Sequence, residues 1–232
     1  MRSVDDRYSD ARNKGFCVHC GSRKNQTRDH VPSRIFLDDP LPTDLPVTHA
    51  CFKCNNGFSR DEEYLACLLK CVSSGHVDPS KLERAKIARI LGSRPKLMAM
   101  LMKAKLESGG EVTWRFDASR VENVVLKLAR GHAAYELNEP KLAKPDALWF
   151  KPLIVMGDRE REEFEIEEGG PSVWPEIGSR AMNRLLIVGD KVFEEGWLLV
   201  QQGRYRYRTS QDSGLRVRMV LREYLACEVI WE

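Results

Sequence analysis

The chain has 232 residues, 42% of them hydrophobic and 31% charged, a composition that fits an ordinary folded protein with one large domain or two small ones. No apolar run approaches the roughly 20 residues that cross a bilayer, and the opening MRSVDDRYSD lacks the apolar core of a signal peptide. The expected location is therefore the cytoplasm, where thiols stay reduced and paired cysteines point to metal before disulfide. A net charge of +3 is too small to mark a nucleic-acid binder, but the charges are segregated. Arg12, Lys14, Arg23, Lys24, Arg28 and Arg34 face a single acid, Asp29, and a second basic stretch covers residues 81–105. Acids gather at residues 158–168. A surface that meets phosphates would be arranged this way, and so would plain solvated faces.

In chain order, Cys17-x-x-Cys20 comes first, then TRDHVPSRIF at residues 27–36. Pro32 ends ladder donation there and holds Val31 extended, so a bent strand end is expected at Asp29 and His30. The bend matters, because neighbours on a flat strand face opposite sides and could not both address one phosphate. Cys51-x-x-Cys54 follows, with Asn55 and Asn56 directly after it. SRDEEYLACLLKCV reads as a helix opened by a Ser59–Glu62 capping box, with Leu65, Leu68, Leu69 and Val72 on its apolar stripe. Cys67 and Cys71 on that helix read as small buried hydrophobes.

SSGHVDPS, at residues 73–80, reads as a linker between a module at residues 1–75 and a second domain at residues 76–232. KLERAKIARIL and KLMAMLMKAKL are helical, interrupted by GSRP; EVTWRF alternates as a strand. SRVENVVLKLARG is a helix with a Ser119–Glu122 capping box and Gly131 as its stop. The remainder is mostly β: ALWFKPLIVM, RLLIVG, EGWLLVQQGRYRYR, LRVRMVLR and YLACEVIWE. The fold class is α+β, an N-terminal zinc-braced module followed by a mixed helical and antiparallel-β domain. In GRYRYR the arginines and tyrosines take opposite strand faces, which suits either nucleic-acid contact or, the favoured reading, tyrosines in a core.

Each Cys-x-x-Cys can turn two thiolates toward one tetrahedral Zn²⁺, so Cys17, Cys20, Cys51 and Cys54 are the expected ligands of a structural zinc. Thirty residues separate Cys20 from Cys51, more than the roughly 15–20 of a simple zinc ribbon, so something is inserted between the knuckles. His19 and His49 are alternative ligands, with packing or exposure favoured for both. The inserted segment carries Asp29 and His30. Neutral imidazole can take a proton from water near pH 7. A carboxylate and a carboxamide oxygen can hold Mg²⁺ or another divalent ion against a phosphate. One zinc joining the knuckles would bring Asn55 close to the segment bearing Asp29. Arg28 and Arg34 could grip flanking phosphates, or be exposed hairpin arginines.

The series Cys17-x-x-Cys20, Asp29-His30, Cys51-x-x-Cys54-Asn55 resembles the HNH endonucleases of ββα-metal fold, above all the zinc-braced branch that includes the phage junction-resolving endonuclease. TRDHVPSRIF with ACFKCNNGFSRDEEYL is also similar to small bacterial HNH endonucleases. This resemblance, over about residues 17–66, implies that His30 is the general base and that Asp29 and Asn55 (Asn56 as alternative) hold the catalytic metal. It puts Asp29 and His30 on a β-hairpin and Asn55 at the start of the next helix. Asp44 would stand on the second strand where many members carry an Asn. The activity implied is metal-dependent cleavage of DNA; a non-catalytic zinc-dependent nucleic-acid-binding module and an RNA-cleaving nuclease are the alternatives. DNA, or RNA in the last case, is the expected partner, no membrane is, and a homodimer is open.

Overall fold

The computed structural model describes residues 13–166, 179, 181–182, 186, 193–194, 196–211 and 214–232. The architecture is α+β with antiparallel sheets. Two compact units divide it: the described parts of residues 1–57 and 125–232 form one, residues 58–124 the other. The expected break after residue 75 thus falls inside the second unit. Ser73 and Ser74 finish helix α1 (Phe52–Ser74), and Asp78 caps a single 3-10 turn at Pro79–Lys81 by accepting the Ser80 N–H at 3.0 Å.

In the first unit, strands β1 (Gln26–His30) and β2 (Val47–Cys51) pair antiparallel, Asp29 opposite Thr48 and His30 opposite Val47. Helix α1 follows β2 without a loop, so the order is strand, strand, helix. It starts at Phe52, earlier than the Ser59–Glu62 pair suggested. The second cysteine knuckle explains the early start. The Cys51 sulfur accepts the Cys54 N–H at 3.5 Å, the bond an N-cap side chain normally supplies, so Cys51 opens the helix and Ser59 lies in its third turn.

Among the described residues, the other sheet of this unit has six strands in the order β5-β10-β9-β8-β7-β6: β5 (Ala147–Pro152), β6 (Phe193–Glu194), β7 (Trp197–Gln201), β8 (Tyr205–Ser210), β9 (Leu215–Leu221) and β10 (Leu225–Trp231). The period-2 pattern of GRYRYR splits as alternation requires. Tyr205 and Tyr207 are fully buried; His132 stacks on Tyr207 with ring centroids 3.7 Å apart and lies 2.8 Å from the Tyr205 hydroxyl. The arginines are engaged within the fold. Arg204 pairs with Asp38, Arg206 with Glu165 at 2.6 Å, and Arg208 donates to the carbonyls of Phe164 and Glu165. Those carbonyls end the acidic helix α5 (Asp158–Glu165), whose orphan acceptors are satisfied this way. RLLIVG lies almost wholly outside the described residues.

Helix α4 (Ala118–Leu137) passes through Gly131 instead of stopping there. It is capped by Asp117, whose Oδ1 accepts the Arg120 N–H at 3.4 Å, rather than by Ser119. Gly131 marks a close approach: a Cβ at this position would sit 2.8 Å from Val31 Cγ2. Valine is stiff at χ1 and cannot swing aside. Gly131→Ala is therefore expected to destabilise by about 1–3 kcal/mol in denaturant unfolding. Gly57→Ala, in open space on α1, should gain about 0.5–1 kcal/mol.

The second unit holds most of α1, helices α2 (Ala85–Ser93) and α3 (Pro95–Ala104), and the hairpin β3 (Lys105–Ser108) with β4 (Glu111–Trp114). Pro95 stands at the first turn of α3, where its missing N–H costs nothing, which splits the two basic helices at GSRP. Cys67 and Cys71 are buried on α1, and burial pushes both thiols up to about 12.

Candidate metal centre and hairpin site

Cys17, Cys20, Cys51 and Cys54 converge, their sulfurs all within 4.8 Å of one another. Cys20 Sγ and Cys51 Sγ are 3.7 Å apart, and a tetrahedron with Zn–S bonds of about 2.3 Å has edges of about 3.8 Å. The first knuckle closes through the Gly21 N–H, which bonds the Cys17 carbonyl at 2.8 Å with Gly21 at φ +73°, a conformation suited to glycine. The Cys54 N–H, ahead of the effect of burial, pulls the Cys51 thiol down to about 7, while burial pushes Cys17 and Cys54 up. Four thiolates this close repel without a cation among them, so the set is built for one soft divalent metal such as zinc. A metal held by all four sulfurs would have no open position, and its part would be to brace the fold.

Neither histidine alternative joins the sulfurs. His49 lies on β2 opposite Arg28. His19 is buried, and its Nε2 donates to Asp29 Oδ2 at 3.2 Å. Arg130 of α4 steadies the first knuckle through the His19 carbonyl at 3.2 Å and also holds the carbonyls of Leu142 and Ala143. Its positive charge lies near the thiols of Cys54, Cys17 and Cys20 and offsets part of their negative charge on ionisation.

Of the residues expected to act, the structure brings some together and separates others. Asn55 sits in the first turn of α1, and its Nδ2 donates to Thr27 Oγ1 at 3.0 Å. Thr27 and Asp29 share a face of β1 by strand alternation, so Asn55 and Asp29 lie on one side of the hairpin. By the same alternation His30 takes the opposite strand face, with Arg28. Arg28 and Arg34 are both exposed. Asp44 lies in the turn ahead of β2, not on the strand.

Asp29 is only 5% exposed, and its Oδ1 accepts from Lys127 Nζ at 2.8 Å. Burial pushes its carboxyl up, but the Lys127 ammonium and His19 outweigh that and hold it below the ordinary 3.8. Lys127, 2% exposed, also donates to Ser33 Oγ at 2.6 Å. Sequence reasoning missed this residue, although a signal existed. In ENVVLKLARG, Lys127 stands in a helix whose Val124, Val125, Leu128 and Ala129 are all buried, an unusual address for an unpaired cation.

Asp29 and Asn55 as arranged do not fit the Mg²⁺ expected of them. Both Asp29 oxygens are engaged, and Mg²⁺ needs near-octahedral oxygen ligands, usually several of them waters, which a carboxylate this deeply buried has no room to admit. A divalent ion about 4 Å from the ammonium would meet about 8 kcal/mol of repulsion at an effective dielectric of about 20.

No family model matches the chain, and no curated protein or solved structure does either.

His30, half-buried at the end of β1, is the remaining residue of the expected set. Burial, and then the charge of Arg34, lower its imidazole to about 4, so it is neutral at pH 7. Its Nε2 is covered and has no hydrogen-bond partner among the described residues. Leaving such a nitrogen unsatisfied costs about 1–3 kcal/mol, a cost that calls for an explanation.

Proposed function

We propose that the chain hydrolyses phosphodiester bonds in nucleic acid, DNA first, with His30 as the general base. The observation that carries this reading is the neutral His30 imidazole, its Nε2 without a hydrogen-bond partner among the described residues, flanked in sequence by Arg28 and Arg34 on a hairpin bracketed by four cysteines. A base works best when its pKa lies near the working pH, and about 4 is low for that task. Arg34 and Arg28 both contribute to the depression. A phosphate held by these two arginines would cancel their repulsion of a proton on His30 and raise its basicity when substrate is present. Water activation would then follow phosphate binding. Entry of the phosphate must also uncover Nε2. The arginines would balance the charge that builds on the phosphoryl oxygens.

The test is nicking of a supercoiled plasmid by wild type and His30→Ala. His30→Ala should be slower by about 10²–10⁴-fold. Equal rates for both, or no cleavage by either, would refute the reading and favour a binding module in which the cysteines brace a nucleic-acid surface. Matched RNA substrates, cleaved in place of DNA, would reassign the substrate. Arg28→Gln with Arg34→Gln should weaken substrate binding and flatten its salt dependence, since phosphate neutralisation sets that slope.

A further inference from the structure

We infer that the ammonium of Lys127 is the cation that serves Asp29, so that the hairpin site is assembled without a divalent metal at that carboxylate. Three contacts carry this. Lys127 Nζ meets Asp29 Oδ1 at 2.8 Å, His19 Nε2 meets the other oxygen at 3.2 Å, and Lys127 Nζ reaches Ser33 Oγ at 2.6 Å. The carboxylate therefore has its charge matched and both oxygens engaged inside the protein.

The placement of Lys127 gives the ammonium a second task. Asp29 and Ser33 lie on either side of His30, Val31 and Pro32, so one side chain of α4 ties both ends of that short segment. One turn further along α4, Gly131 packs against Val31 with no space for a Cβ. Helix α4 is thus the template against which the backbone carrying His30 is shaped. Lys127 is a positioning residue: it reaches the imidazole only through the backbone it holds. A metal bound to a carboxylate from solvent can leave, whereas a lysine on a packed helix stays, so the geometry would not vary with free Mg²⁺.

The inference deepens the nuclease reading and rests on it for what the held segment does; the occupancy of Asp29 is measurable without any activity. The probe is Mn²⁺, followed by electron paramagnetic resonance, added to the full chain with its cysteine-bound metal in place. Wild type should bind no ion at about 1 mM Mn²⁺, and Asp29→Asn should leave that unchanged. Lys127→Ala, which removes the ammonium and opens its space to water, should gain one Mn²⁺ per chain, and Asp29→Asn in that background should remove it. Wild type that binds one Mn²⁺ in a manner abolished by Asp29→Asn would overturn the inference. A folded Lys127→Ala chain that still rejects Mn²⁺ would overturn it as well. If Lys127→Ala does not fold, the comparison of wild type with Asp29→Asn still decides. Failure of every nuclease assay would end the nuclease reading and leave this result intact.

Discussion

Replacing Cys51 with serine is expected to strip the metal from the chain and lower its melting temperature by about 10 °C. Cys51 does three things at once. Its sulfur is one of four within 4.8 Å, its thiol is the one drawn down to about 7, and it accepts the N–H that starts α1. Losing it removes a ligand and weakens the helix entry. Structural zinc contributes about 10–16 kcal/mol in isolated finger peptides, but this chain has a six-stranded sheet and buried helices of its own. A loss of about 4 kcal/mol, at about 2–4 °C per kcal/mol for a chain of this size, gives the expected shift. Metal content by mass spectrometry should fall from one ion per chain to none. Cys67→Ser and Cys71→Ser should keep the metal, because burial pushes those thiols up to about 12, where they stay protonated. A wild-type chain that carries no metal and an unshifted Cys51→Ser protein would together dismiss the metal centre.

Lys127→Met should cost about 3–5 kcal/mol in denaturant unfolding, because it leaves the Asp29 carboxylate buried without its counter-charge. Asp29→Asn combined with Lys127→Met should recover part of that loss, since neither residue then carries a charge, and the double-mutant cycle isolates the coupling. The pH dependence follows with a definite sign. Asp29 titrates below its unfolded value, so the unfolded chain takes up the proton first and stability falls as pH drops. The contribution is complete above about 4 and disappears as pH falls through the folded value. Without Lys127, burial dominates and raises the carboxyl, so the acid limb of the stability curve should begin closer to neutral pH. An acid limb unmoved by Lys127→Met would show that the pair does not set the Asp29 charge.

Much of this protein is legible from local sequence because the governing physics is local. Two Cys-x-x-Cys pairs specify two knuckles whatever lies between them, and the structure closes them on a single point. Alternation in GRYRYR assigns tyrosines to one face and arginines to the other, since successive strand side chains must oppose. The helix over SRDEEYLACLLKCV and the break at GSRP follow from periodicity and from proline in the same way.

What the tertiary structure alone decided is which charges meet. Asp29 finds Lys127, 98 positions away, and Asp38 finds Arg222, 184 positions away. Neither pairing leaves a trace in spacing, because a helix face or a loop presents its charge identically whatever docks against it. The start of α1 and the continuation of α4 through Gly131 have the same origin. Local rules placed a cap at Ser59 and a stop at Gly131, but the Cys51 sulfur began the first helix earlier, and contact with Val31 explains the glycine in the second. An aspartate beside a histidine reads as a metal ligand when only its neighbours in sequence are known. Once a buried ammonium stands 2.8 Å from it, the same carboxylate is a strut that holds the neighbouring imidazole's backbone in place.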